Sequence, residues 1–170
     1  MLYGLTQWIE AARGFNESSA GLLLLPMTLV SGIAIAAVAR RNLVRGPAIA
    51  AATTSLAGSA GILLLNSTTW IGLVAILTLL FGAATGFASA GYQTALYTHA
   101  PPEQLGTASG LLRTFGYAGS IASSAITGIV FHHHITDQGL HHIAWIMIGT
   151  SLTLTILTLT ARNLRTRESR

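Results

Sequence analysis

The stretch GTASGLLRTFGYAGSIASSAITG, residues 106–128, carries a single charge, Arg113, among small, hydroxylated and apolar side chains. A helix on the surface of a soluble domain keeps a polar face toward water. A leucine-rich core helix contains less glycine, which weakens helix interiors. Neither describes this segment. Membrane helices gain little by hiding leucine from lipid and associate by close backbone approach, which favours Gly, Ala, Ser and Thr at contacts. Gly116, Ser120, Ser124 and Gly128 recur every four residues and share one helix face, and Gly106 and Gly110 form another small pair. The spacing predicts a helix that lies in lipid and packs closely on a neighbour.

The rest of the chain agrees. Of its 170 residues 51% are hydrophobic and 8% charged, with a mean hydropathy of +0.60. Soluble domains carry about 25% charged residues. The chain has too little polar surface to cover itself in water, so lipid is the expected solvent. Cysteine is absent, which excludes disulfides and thiolate metal sites. The net charge of +4 arises from nine arginines with no lysine. They cluster beside apolar runs, as expected for the flanks of membrane helices rather than a nucleic-acid surface.

A membrane-crossing helix needs roughly 20 mostly apolar residues. Five such spans are expected near 19–39, 47–65, 71–97, 107–131 and 143–161, with a basic tail over 162–170. Pro26 lies inside the first span, where a kink is tolerated if neighbours satisfy the freed carbonyl. The NSTTW stretch, 66–70, supplies one turn, and Pro101 and Pro102 end the third span. Residues 1–13 are too short to span. They read as the last turns of a helix with its beginning missing or, alternatively, as an interfacial segment with Trp8 at headgroup level. No basic n-region precedes an apolar stretch, so a cleavable signal peptide is not expected.

Orientation follows from the arginines. With the 40–46 loop in the cytoplasm, Arg40, Arg41, Arg45, Arg162, Arg165, Arg167 and Arg170 lie inside and Arg13 outside, seven against one. The C-terminus is then cytoplasmic and the histidine-rich segment outside. That segment, HHHITDQGLHH, holds His132, His133, His134, His141 and His142 around Asp137. Histidine tracts can hold zinc, but no ordered ligand spacing stands out here, and a solvated loop is the expectation.

Gly82 and Gly86 on the third span repeat the small-residue spacing and join Gly116, Ser120, Ser124 and Gly128 as packing candidates. Such spacing fits a moving transporter interface or a static bundle contact. Two polar groups lie inside spans. Gln93, flanked by Tyr92 and Tyr97, needs buried partners and either lines a substrate path or pins two helices. Arg113 is either a functional intramembrane charge or a snorkelling side chain near the interface. Tyr117 completes the candidate set. No nucleophile–base pair, phosphate-binding loop or cofactor motif appears, so neither an enzyme nor a bound cofactor is expected.

The segments AGLLLLPMTL (20–29) and YQTALYTHAPPEQLGTASGLLRTFGYAGSIASSAITG (92–128), with the basic loop after the first span, resemble the C-terminal half of a major facilitator superfamily transporter. The resemblance is strongest to the fourteen-helix drug:proton antiporter branch of multidrug efflux proteins. It implies an all-α integral membrane protein of about five transmembrane helices plus the end of a truncated sixth. It further implies the plasma membrane, a small-molecule substrate and proton counter-transport. The family's cytoplasmic loop motif is reduced here to ARRNLVRGPA, where Arg40, Arg45 and Gly46 match its basic and glycine positions and the acid is absent. The N-terminal half of the family's fold, which carries its proton-linked acids, is not in this chain. The expectation is therefore a C-terminal transporter fragment, inactive alone. The alternative is a small multi-span membrane protein with a structural or partner-binding role.

Overall fold

The computed structural model of the chain describes residues 2–14, 16–40, 45–66, 68–132 and 136–160. Six α-helices account for nearly all of them: α1 (Leu2–Arg13), α2 (Glu17–Ala39), α3 (Arg45–Ile62), α4 (Ile71–His99), α5 (Leu105–Val130) and α6 (Asp137–Thr160). A short 3-10 turn, Pro102–Gln104, precedes α5. The fold is all-α, as expected, and α2–α6 overlap the five apolar stretches of the sequence. Arg41, His133, His134 and the 162–170 tail lie outside the described residues, as do the side chains of Arg13 and Arg45.

Local chemistry explains the breaks. Asn66 closes the α3–α4 turn: its Oδ1 accepts from the Thr68 backbone N–H at 3.1 Å and from the Thr68 and Thr69 hydroxyls, each at 2.8 Å. Ala100, extended at φ −79° and ψ 135°, ends α4 because the residue before a proline is pushed out of the helical region. Thr136 starts α6, its Oγ1 accepting from the Gly139 N–H at 3.2 Å. For that reason α6 begins six residues earlier than its apolar run, and His141 and His142 sit on its first turns rather than in a loop.

Among the described residues, α2, α4 and α6 have the length and hydropathy to cross a bilayer. The sequences of α3 and α5 are diluted by Ala, Gly, Ser and Thr, and each carries an arginine, Arg45 or Arg113. That composition lowers hydropathy without shortening the helix.

The bundle is built as a chain of pairwise contacts, α2 on α4, α4 on α3 and α3 on α6. At one end α1 plugs the bundle with Leu5, Trp8 and Ile9, which pack among Met27, Ile62, Leu65, Val74, Leu77, Phe81, Leu140 and Ala144. Two polar links fasten that end. The Trp8 indole N–H donates to Asp137 Oδ1 at 2.9 Å, and His141 Nε2 donates to the Leu65 carbonyl at 2.8 Å. Helix α5 touches α1, α4 and α6 at few points, and every residue from 110 to 126 is exposed.

Candidate functional site

Small residues on α4 bring two backbones together. A methyl added at Gly86 would lie 2.5 Å from the Ser31 carbonyl oxygen and 2.8 Å from the Ala34 Cβ. One added at Gly82 would collide with the Met27 carbonyl oxygen and lie 2.9 Å from the Met27 Cα. Glycine is required at both positions by the closeness of α2, the arrangement expected of small-xxx-small helix contacts.

The equally spaced face of α5 meets a different environment. Nothing lies within 4 Å of a methyl built on Gly106, Gly110, Gly116 or Gly128. Among the described residues no neighbouring helix covers Gly116, Ser120, Ser124 or Gly128. Three of these, Gly116, Ser120 and Ser124, instead line a cavity of about 650 Å³ between α5 and the α3–α4–α6 layer. Its opposite wall is formed by Ala52 and Ser55 of α3, Phe81, Ala84 and Tyr92 of α4, and Met147, Ser151 and Leu154 of α6.

Hydroxyls near this wall are satisfied within the protein. Ser55 and Ser151 share a hydrogen bond of 2.8 Å between α3 and α6. Ser59 donates to the Ser55 carbonyl at 2.8 Å, Thr78 to Ala75 at 2.7 Å and Thr127 to Ser123 at 2.9 Å. Donation to a carbonyl three or four residues back lets a hydroxyl sit in an apolar helix without an unpaired proton. These serines were not singled out in the sequence. Their only signal was a polar i, i+4 pair, Ser55 and Ser59, on an otherwise Ala-rich helix.

The polar and aromatic candidates all sit at exposed positions. Tyr92, Gln93 and Tyr97 occupy the last turns of α4, and Tyr92 alone of the three lines the cavity. Arg113 and Tyr117 lie one turn apart on α5 and are both exposed. Arg113 pairs with no carboxylate among the described residues. Arg40 closes α2, its backbone N–H reaching the Ala36 carbonyl at 3.4 Å, and Gly46 is exposed in the first turn of α3. The structure thus brings Tyr92 to the Gly116–Ser124 face and leaves Gln93, Tyr97, Arg113 and Tyr117 on uncovered surface. No group of three His, Asp or Glu side chains converges among the described residues.

A family model described as Major Facilitator Superfamily matches residues 1–124. The chain is also 32% identical over 165 residues to an uncharacterized MFS-type transporter, YwoD, of Bacillus subtilis (strain 168). That similarity covers 92% of this chain and 36% of the relative, so the chain spans about a third of the relative's length. No solved structure matches.

Proposed function

The chain belongs to the major facilitator superfamily, and from that premise we propose that it forms one wall of a membrane transporter for small molecules. The reading is of the C-terminal part of a proton-coupled multidrug efflux protein in the plasma membrane, C-terminus in the cytoplasm, working against a second set of helices. The observation that carries it is the uncovered band on α5, residues 110–126, with Arg113 and Tyr117 on it. A guanidinium and a phenol are expensive to present to hydrocarbon. Their exposure supports a face that meets water, substrate or further protein. Transporters of this architecture bind substrate near the midplane between helix bundles that rock against each other. Tyr92, Gln93 and Tyr97, exposed on the last turns of α4, would supply aromatic and amide groups to a small organic substrate. The share of the relative's length that this chain spans supports a requirement for the other bundle.

Efflux of a fluorescent cationic dye tests the proposal. Cells making residues 1–170 alone should retain the dye, whereas fusion to the complementary helices of a homologous transporter should restore uncoupler-sensitive efflux. In the fusion, Arg113→Ala should reduce efflux several-fold at unchanged expression. Robust efflux by the chain alone, or a fusion indifferent to Arg113, would overturn the reading.

A further inference from the structure

The cavity beside α5 has an uncharged interior and one charged end. Among the described residues that line it none is acidic or basic, and Met27 and Met147 give it flexible thioether walls that adapt to an irregular guest. Its hydroxyls offer little to a polar guest. Ser55 and Ser151 share one hydrogen bond, Thr85 donates to the Phe81 carbonyl at 2.9 Å, Ser120 to Gly116 at 3.0 Å and Thr158 to Leu154 at 2.7 Å. With most of these protons committed, a charge carried inside would meet few donors and no counter-charge. The charged end is set by Arg113, which precedes Gly116 by one turn of α5. Arg113 shares a helix edge with Tyr117, Ser120 and Ser124, four, seven and eleven residues further on. Ser120 and Ser124 line the cavity, so this edge leads from the guanidinium into it. Tyr92 lines the cavity from the last turns of α4, which the Pro102–Gln104 turn joins to the start of α5. The guanidinium and the phenol therefore stand at the same end.

We infer that the cavity binds an alkyl chain bearing an anionic head group, with the chain along the Gly116–Ser124 face and the head at Arg113. That face runs for about 12 Å at 1.5 Å per residue. The volume of about 650 Å³ falls within the roughly 300–1,000 Å³ of small-molecule sites. A guanidinium holds a carboxylate or a phosphate through paired N–H donors, so a free fatty acid and an anionic phospholipid present the same chemistry. A cationic amphiphile of equal length would set its charge beside Arg113 with no carboxylate in reach among the described residues. The inference concerns binding by this chain and stands apart from the transport reading.

Photolabelling of the full chain in phosphatidylcholine nanodiscs tests the assignment. The probes are dodecanoate and dodecyltrimethylammonium, each with a diazirine at the chain end, and a phosphatidylglycerol with the same diazirine on one acyl chain. A bound anionic probe should mark Met147 and Leu154, on the cavity wall of α6, well above Trp145 and Ile156, which are exposed and do not line it. The ammonium probe should mark the four alike. Arg113→Gln should lower the Met147 and Leu154 yield by about tenfold, the scale of one charge-assisted hydrogen bond, and Arg113→Lys should keep most of it. Enrichment with dodecanoate alone supports a free amphiphile as guest, and enrichment with phosphatidylglycerol supports a membrane lipid. No enrichment with either anionic probe, equal enrichment with the ammonium probe, or enrichment that survives Arg113→Gln would overturn the inference.

Discussion

Gly82 and Gly86 on α4 and Gly116 and Ser120 on α5 carry the same four-residue spacing, yet they meet opposite surroundings. The α4 pair is pressed against the backbone of α2 at Met27 and Ser31, while the α5 pair opens onto a cavity. The difference does not lie in the motif. Spacing makes a helix face smooth enough for close approach, but a partner must arrive before any energy is gained. On α4 that partner is α2, and on α5 none is present among the described residues. The same contrast separates Phe81, 4% exposed over Gly58, from Phe115, 73% exposed on α5.

Matched substitutions in the two regions turn the contrast into numbers. The largest effect is expected at the aromatic pair. Phe81→Ala removes a ring packed between α3 and α4 and should lower stability by about 3 kcal/mol, the scale of large-to-small core changes. Phe115→Ala should stay within about 0.5 kcal/mol, as for exposed sites. Thermal unfolding in detergent measures both, and similar losses would erase the distinction between packed and open helices.

The glycines should differ in sign. Gly82→Ala forces a methyl into the Met27 backbone and should destabilise by about 1–3 kcal/mol, since overpacking moves helices rather than side chains. Gly116→Ala adds a methyl to open space and should be neutral or stabilising by up to about 1 kcal/mol, from helix propensity. A melting temperature that falls equally in both variants would mean that α5 is as tightly packed as α4.

The smallest effect tests the serines. Ser151→Ala deletes the 2.8 Å bond to Ser55 and should lower stability by about 0.6 kcal/mol, the average for interhelical hydrogen bonds in membranes. Ser124→Ala, facing the cavity, should leave the melting temperature unchanged. An indifferent Ser151 would show that α3 and α6 hold together by packing alone.

Much of this architecture could be read directly from the chain. Each long helix overlaps an uncharged or nearly uncharged stretch, the Asn66 turn announces itself as NSTTW, and Pro101 and Pro102 mark the α4–α5 break. The start of α6 was less legible, because a threonine cap and a polar first turn extend the helix beyond its apolar stretch. The Trp8–Asp137 bond joins groups 129 residues apart, and the Ser55–Ser151 bond groups 96 apart. No periodicity points from one partner to the other. Among the site candidates, the residue types of Gln93, Tyr92, Tyr97, Arg113 and Tyr117 stood out, but not which of them would border the cavity.

By itself the amino-acid sequence determined that the chain is helical and suited to lipid, which segments its long helices occupy, and which faces are smooth enough to pack. These are properties of single segments, set by transfer free energy and by hydrogen bonds within a few residues. Only the tertiary structure decided that the Gly82–Gly86 face is filled by α2 and that the Gly116–Ser124 face opens on a cavity. Contact between two faces depends on how distant segments are placed in space, and the same small-residue pattern is compatible with a neighbour or with none.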